Sequence, residues 1–439
     1  MPMGRLIFGM SLPMMVSLLI QSLYNIVDSM FVARISEQAL TATSLAYPVQ
    51  MLMISVGVGS AVGLNAVLSK ALGAGKKTEA SELAVTGVII SIFWGLLFGV
   101  IGLLFSARLA AIFTADAEIA NACREYLFVC LTFSLGNMVS LTYQRLMQAT
   151  GKTALSMVIL ICGAVCNIVL DPIMIFGLLG CPAMGIRGAA IATVVGQWLS
   201  MCVGIVLQQF CNREVTLRIR GFRLSRAHIS AIYKVGLPTI VMQAMQSMMV
   251  TCFNGILQTF STTAVAFFGV YYKLQTFLFM PMNGLGQAAI PIVGYNYGAR
   301  NKLRIMECMK IIYPAAAAIS LVGAAVFLAI PDKLLGLFSA GKAMLAVGVP
   351  AMRIMAPMFI PASVTMISGY LASGLQDGYT NMIGAFLRQF IPLIPLAWLI
   401  GSFCGIKAVW YAFWISEVIA LVYAIYRIRK DVKRKVDVM

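Results

Sequence analysis

The chain has 439 residues, of which 61% are hydrophobic and 11% are charged, and its formal net charge is +17. A soluble globular domain has about 25% charged residues, so this composition excludes an ordinary water-soluble fold. Long continuous apolar runs predict membrane-spanning helices. The basic residues lie between these runs rather than on one face with aromatic side chains. Their expected partners are therefore cytoplasm-facing lipid headgroups, and nucleic acid is not expected as a partner.

Twelve apolar segments, each long enough to cross a bilayer at about 20 residues per span, follow one another along the chain. The predicted spans are 8–33, 43–70, 83–105, 119–147, 155–178, 188–208, 232–259, 263–294, 311–330, 344–375, 383–400 and 407–426. The first is interpreted as a span rather than a cleavable signal, because its apolar run continues without a small-residue cleavage site.

Lysine and arginine residues concentrate in one alternate set of connections and in the C-terminal tail. Basic loops stay on the cytoplasmic side of a membrane, so this pattern predicts that both termini are cytoplasmic. The expected location is the plasma membrane, or the inner membrane of a bacterium, with many passes of the chain.

The two halves of the chain repeat each other. Ser11-Leu12-Pro13 recurs as Gly236-Leu237-Pro238, and the same spacing places Gln21 opposite Gln246. The predicted domains are an N-lobe (1–210, helices 1–6), a basic cytoplasmic linker (211–230) and a C-lobe (231–439, helices 7–12 with the tail). Because each half has an even number of spans, the two lobes are parallel repeats. The predicted fold class is an all-α integral membrane protein with twelve transmembrane helices in two parallel six-helix lobes around a central cleft.

Ionisable residues inside a span cost energy unless they face a cavity or a partner, so each is a candidate functional residue. In the N-lobe these are Asp28 and Asp171, at similar depths in the outer part of the membrane, with Asn167 one helical turn before Asp171. Two such carboxylates could share a proton or coordinate a cation with the amide oxygen. The alternative for Asp28 is a position at the helix end, in contact with headgroups or water.

In the C-lobe, Glu417 and Lys273 are both predicted to lie near the midplane of the membrane. They could form a structural salt bridge, or Glu417 could be a cation-binding carboxylate. Pro13 is predicted to kink the first helix, either statically or in response to protonation further along the same helix.

The sequence contains no cluster of His, Cys and carboxylate residues with metal-ligand spacing and no nucleophile–base arrangement. We therefore expect no enzymatic activity, no cofactor and no resident metal, apart from a transient Na⁺ at Asp28, Asp171 and Asn167.

Several segments together resemble the MATE (multidrug and toxic compound extrusion) family over essentially the whole chain. They are Ser-Leu-Pro at 11–13, Gly-Ala-Gly-Lys at 73–76, Asn-Ile-Val-Leu-Asp-Pro at 167–172, Gly-Ile-Arg-Gly-Ala-Ala-Ile-Ala-Thr at 185–193, Gly-Leu-Pro at 236–238 and Tyr-Asn-Tyr-Gly-Ala at 295–299. The resemblance implies antiport of organic cations or drugs against H⁺ or Na⁺, with alternating access between the two lobes. A monomer is expected, with a cationic or amphipathic small molecule as substrate and membrane lipids as further partners.

In proteins of this family the N-lobe ion site has acidic residues at the positions of Asp28 and Asp171 and an asparagine at Asn167. By the same resemblance, Thr193 and Tyr126 lie near the site and Gln21 lines the cavity. Acidic residues on spans seven and ten, which other branches use, are not found here. A lipid-linked precursor flippase of the same superfamily is the alternative function, although the chain length favours drug export.

Overall fold

The computed structural model describes residues 1–114, 116–217, 224–338 and 341–438. Arg218, Arg220 and Arg223 of the predicted linker lie outside these ranges. The α-helices of the described residues are α1 (Met3–Ala33), α2 (Glu37–Gly73), α3 (Lys77–Phe113), α4 (Ala117–Thr132), α5 (Leu135–Ala149), α6 (Thr153–Phe176), α7 (Gly185–Cys211), α8 (Arg226–Gln258), α9 (Thr262–Gly298), α10 (Lys302–Ala329), α11 (Pro331–Gly336), α12 (Lys342–Met355), α13 (Phe359–Gly374), α14 (Gly378–Gln389), α15 (Leu393–Cys404), α16 (Ile406–Val409) and α17 (Tyr411–Asp431).

Within the described ranges, eleven helical segments are long and apolar enough to cross a membrane, and a twelfth span results if the bent pair α4–α5 counts as one. Each predicted span coincides with one of these segments. The helices extend beyond the predicted ends, and at some of the earlier starts a polar N-cap residue caps the helix. For example, Ser36 accepts a hydrogen bond from the backbone N–H of Ala39, and Asn301 accepts one from the N–H of Arg304.

The segment predicted as a single span over 119–147 is divided into α4 and α5, which meet at an angle of 49°. At the break, the indole of Trp198 donates a hydrogen bond of 3.0 Å to the carbonyl oxygen of Phe133. The hydroxyl of Ser134 donates one of 3.1 Å to the carbonyl of Gly95. These contacts tie the break to neighbouring helices and satisfy a carbonyl group freed where α4 ends.

The packing divides the chain into two compact units, which we call the N-unit (Val16–Ile240) and the C-unit (Met1–Met15 with Val241–Met439). The helices α1 and α8 each contribute their first half to one unit and their second half to the other. The unit boundaries thus differ from the predicted lobes 1–210 and 231–439 along these two helices. The lobe boundaries, which concern the sequence repeat, stay a prediction.

The second half of α8 and its neighbours form an aromatic core in the C-unit. Phe253 packs against Phe268 and Phe413 with ring centroids 4.6 and 5.0 Å apart, and Trp410 meets Phe267 edge to face at 5.2 Å. Such offset and edge contacts are the preferred geometry of aromatic pairs. Phe413 brings α17 into this core.

A polar cluster lies where α13 and α14 join, close to the end of α17. The guanidinium of Arg427 donates hydrogen bonds of 2.9 Å to the Asp377 carboxylate and to the Thr380 hydroxyl. Lys435 donates a hydrogen bond to the carbonyl of Leu375 and lies 3.6 Å from the carboxylate of Asp431. We call these residues the tail cluster, since they attach the C-terminal turn to the C-unit.

Candidate functional site

The close contact between α6 and α7 sets the geometry of a group of polar side chains in the N-unit, formed by Asn167, Asp171 and Thr193. A Cβ atom added to Gly196 would lie 2.7 Å from the carbonyl oxygen of Gly163 and 3.3 Å from the Cβ of Asn167. Only glycine on both helices allows their backbones to approach this closely. The approach brings Thr193, one turn before Gly196 on α7, next to Asn167 on α6.

Asn167 connects the two helices through its side-chain amide. Its Nδ2 donates to the Asp171 carboxylate at 3.3 Å and to the Thr193 hydroxyl at 3.2 Å. Asn167 and Asp171 are both buried. The predicted neighbourhood of these three residues is therefore present in the structure.

The carboxyl groups of Asp28 on α1 and Asp171 on α6 lie within hydrogen-bonding range of each other. The structure therefore does not place Asp28 alone among lipid headgroups. Two carboxyl groups so close can share one proton or face a cation together. We call Asp28, Asp171, Asn167 and Thr193 the N-unit site.

Three oxygen atoms of the N-unit site are buried and receive no hydrogen bond from the described residues. They are Oδ1 of Asp28, Oδ1 of Asn167 and Oδ2 of Asp171. Buried polar atoms are normally paired, so each unpaired oxygen requires an explanation. Oxygen atoms of carboxylates and amides are the ligands that hard cations prefer, and a carboxylate oxygen is also the atom that takes up a proton.

Tyr126 of α4 is buried beside this site and forms a hydrogen bond with Gln50 of α2. Gln50 also contacts Cys130, and Tyr24 of α1 lies near both aspartates. Tyr24, Gln50 and Cys130 are site residues that the sequence did not predict. A signal existed only for Gln50, since the repeat places it opposite another glutamine, Gln275.

Gln21 and Pro13 both lie on α1. Gln21 is exposed and lies two turns before Asp28. Pro13 lies inside the continuous helix α1. The roles of Gln21 in lining a cavity and of Pro13 in bending the helix stay predictions.

The predicted pairing of Lys273 with Glu417 is wrong. The side chain of Lys273 is exposed, and no ion pair joins it to Glu417 in the described part of the chain. Glu417 is buried, shares a hydrogen bond with Thr365 of α13, and has Arg388 of α14 as its neighbouring charge. Equal depth in the membrane does not bring two side chains together when their helices turn them to different sides.

Among the residues that the structure describes, no group of three or more His, Cys, Asp or Glu side chains could hold a metal ion. The N-unit site has two carboxylates with amide and hydroxyl oxygens, a donor set for a proton or a weakly held alkali cation rather than for a resident transition metal.

Long apolar helices with buried carboxyl groups define a multi-pass α-helical membrane protein. A family model described as MatE matches residues 13–173 and 238–399, one segment in each repeated half. These segments cover most of the chain, which therefore belongs to the MATE family of transporters.

Relatives and solved structures agree with this assignment. Multidrug export protein MepA of Staphylococcus haemolyticus is 25% identical over 424 residues, covering 95% of this chain and 91% of the relative. MepA of Staphylococcus aureus is 25% identical over 419 residues, with the same coverage of both chains. A MOP superfamily transporter from Pyrococcus furiosus has the same fold, with a TM-score of 0.91, 23% identity and coverage of 99% of this chain and 96% of that one. A multidrug resistance MATE transporter in an outward-facing conformation also gives 0.91 at 23% identity, over 99% and 97% of the two chains. The predicted fold class and family are thus confirmed.

Proposed function

We propose that this protein is a secondary active transporter that exports organic cations or drugs in exchange for protons or sodium ions. The N-unit site is the coupling site, and alternating access carries the substrate across the membrane. The relatives named as multidrug export proteins support drug export over the flippase alternative.

One observation carries the coupling proposal: Asp28 and Asp171, on two different helices, face each other, and each has a buried oxygen that no described residue pairs with. A single proton or monovalent cation can neutralise this pair and satisfy those oxygens. The unpaired amide oxygen of Asn167 provides a third ligand, and Thr193 holds the amide in place. When the site is occupied, the net charge buried in the N-unit changes. Binding of the coupling ion can therefore shift the equilibrium between conformations of the transporter.

The experiment is efflux of a fluorescent organic cation from proteoliposomes under an imposed sodium gradient or an imposed proton gradient. The Asp171→Asn variant keeps the size of the side chain and removes its charge. We expect at least a ten-fold loss of gradient-driven efflux, because one member of the pair can no longer exchange the ion.

The matched control is Glu118→Gln, which removes an exposed carboxylate at the start of α4 and should leave efflux unchanged. If Asp171→Asn exports as fast as the unmodified protein under both gradients, the coupling role of the N-unit site is refuted. The gradient that supports efflux by the unmodified protein identifies the coupling ion.

A further inference from the structure

A second buried carboxyl group lies in the C-unit, outside the N-unit site. Glu417 on α17 is 3% exposed and belongs to the helix that contributes Phe413 to the hydrophobic core of the C-unit. Phe413, one turn earlier on the same helix, packs against Phe253 and Phe268. The carboxyl group is thus buried one helical turn from this aromatic packing.

The two oxygens of Glu417 differ in their surroundings. The carboxyl group shares a hydrogen bond with Thr365 of α13, whereas Oε1 is buried and has no partner among the described residues. The hydroxyl of Tyr271 on α9 is also buried and has no partner in the described part of the chain, and it lies close enough to Glu417 to feel its charge. Two unpaired polar groups, a carboxyl oxygen and a phenol, therefore occupy one apolar core.

No lysine, arginine or histidine of the described residues forms an ion pair with Glu417 within 4.0 Å. The charged or titratable groups that act on it from the packed helices are Arg388 of α14 at longer range and Tyr271 of α9, while Thr365 of α13 does not titrate. A negative charge buried without a close partner is strongly disfavoured, and protonation removes that charge.

A proton on Oε1 also adds a hydrogen-bond donor to this apolar core. The neutral acid gains an O–H donor, and the phenol oxygen of Tyr271 is an acceptor in the same core. Arg388, the basic residue whose charge acts on Glu417, is partly exposed. The site thus has a proton-binding atom, a second polar group in the same core and a partly exposed basic residue acting on it.

We propose that Glu417 is a second proton-exchanging site of the transporter, in which Oε1 of the carboxylate takes up a proton from water and returns it. The proton forms an O–H bond on Oε1 and changes the charge of the group from −1 to zero. Only the use of this proton in transport rests on the proposed function. The binding of the proton itself does not.

Infrared difference spectroscopy of proteoliposomes tests this directly. Spectra are compared between about pH 5.5 and about pH 9, above the range in which exposed carboxyl groups titrate, at about 4. The Asp28→Asn/Asp171→Asn double variant is used, since it removes the carboxyl groups of the N-unit site. We expect a protonated-carboxyl C=O band that is present at acid pH, shifts in D₂O and disappears at alkaline pH.

Adding Glu417→Gln to the double variant should abolish this band. Adding Glu307→Gln, an exposed carboxylate of the same unit, should leave it unchanged. A band that survives Glu417→Gln, or no band in the double variant, would overturn the proposal. So would a Glu417 band of constant intensity across the pH range, since it would mark a permanently neutral structural group.

The outcome is separable from that of the proposed function. Loss of efflux in Asp171→Asn with a titrating Glu417 band supports both sites. Full efflux in Asp171→Asn with a titrating Glu417 band refutes the N-unit coupling site and leaves the Glu417 site standing.

Discussion

Asn167 is the residue on which the geometry of the N-unit site depends. One amide group donates to a carboxylate on its own helix and to a hydroxyl on α7, so both donor hydrogens are used and the carbonyl oxygen is left to face the site. Because the hydroxyl of Thr193 fixes which way the amide points, Thr193 acts on the ion through Asn167 as a positioning residue.

The substitution Thr193→Val removes the acceptor and keeps the shape of the side chain. A hydrogen bond contributes about 1 kcal/mol, so we expect the apparent affinity for the coupling ion to weaken about five-fold. The measurement is the efflux rate as a function of coupling-ion concentration, with the maximal rate little changed. Thr193→Ser, which retains the hydroxyl, should behave like the unmodified protein. Identical ion dependence in Thr193→Val would contradict the positioning role.

At this scale the sequence allowed the acidic residues and Asn167 to be predicted, because a polar side chain inside an apolar run is rare and its depth follows from helical rise. The side of the helix on which each residue lies could not be predicted from its depth in the membrane. Tyr271 and Lys273 are two residues apart on α9 and point to different sides, so that Tyr271 is fully buried and Lys273 is exposed. Depth alone suggested Lys273 as the partner of Glu417, whereas the described contacts give Thr365, Tyr271 and Arg388.

At the scale of helices, the contact between α6 and α7 is set by small residues. Gly163 and Gly196 face each other. Further along the two helices, Gly188 of α7 lies against the carbonyl group of Met174 of α6. Without these glycines the backbones would separate, and the amide of Asn167 could no longer reach Thr193. The contact therefore links a pattern of small residues in the sequence to the geometry of the N-unit site.

Gly196→Ala should destabilise the protein by about 1–3 kcal/mol, because the added Cβ would overlap the carbonyl oxygen of Gly163. The measurement is thermal unfolding in detergent, together with the ion dependence of efflux, which should weaken as the two helices separate. Gly255→Ala on α8 is the matched control, since a Cβ there meets no atom within 4 Å. Its unfolding temperature should be unchanged or slightly higher. Equal unfolding temperatures for the two variants would contradict the tight contact.

The break between α4 and α5 could not be predicted from periodicity, because neither Phe133 nor Ser134 interrupts a helix by its own chemistry. What stabilises the break is tertiary: the indole of Trp198 and the carbonyl of Gly95 come from α7 and α3. Composition thus predicts the number of crossings, while bends within a crossing depend on distant partners.

At the scale of the whole chain, the repeat and the packing describe different divisions. The repeat is read from sequence, and the family model matches it twice. The packing assigns the first half of α8 to the N-unit. There, Gly236 packs against the backbone of Gly59, and the indole of Trp94 donates a hydrogen bond of 2.6 Å to the hydroxyl of Tyr233. The polar linker predicts a division between α7 and α8. These contacts lie within apolar helices, so the sequence did not predict that the division runs through α8.

The C-unit has a comparable long-range connection in the tail cluster, where Arg427 donates to Asp377, a residue 50 positions earlier in the chain. Burial by itself would raise the pKa of Asp377, but the hydrogen bonds from the Thr380 hydroxyl and N–H and the charges of Lys435 and Arg427 outweigh it and lower the pKa below its usual range. A carboxylate with a lowered pKa stabilises the folded protein fully above the unfolded value of about 3.9. That stabilisation is lost as the pH falls through the folded value.

Asp377→Asn should therefore lower the unfolding temperature at pH 7, by the equivalent of about 1–3 kcal/mol. The reason is that Arg427 and Thr380 would then donate their hydrogen bonds to a neutral amide oxygen instead of a charged carboxylate. Asparagine is a good N-cap, so α14 still begins normally and only the charge is tested. The difference from the unmodified protein should be constant above about pH 5 and should narrow below about pH 4, as the unmodified carboxylate takes up its proton. Asp332→Asn, the same change at an exposed position, should show no such difference. A difference that persists undiminished at the lowest pH would mean that the tail cluster stabilises the C-unit through packing and not through the charge of Asp377.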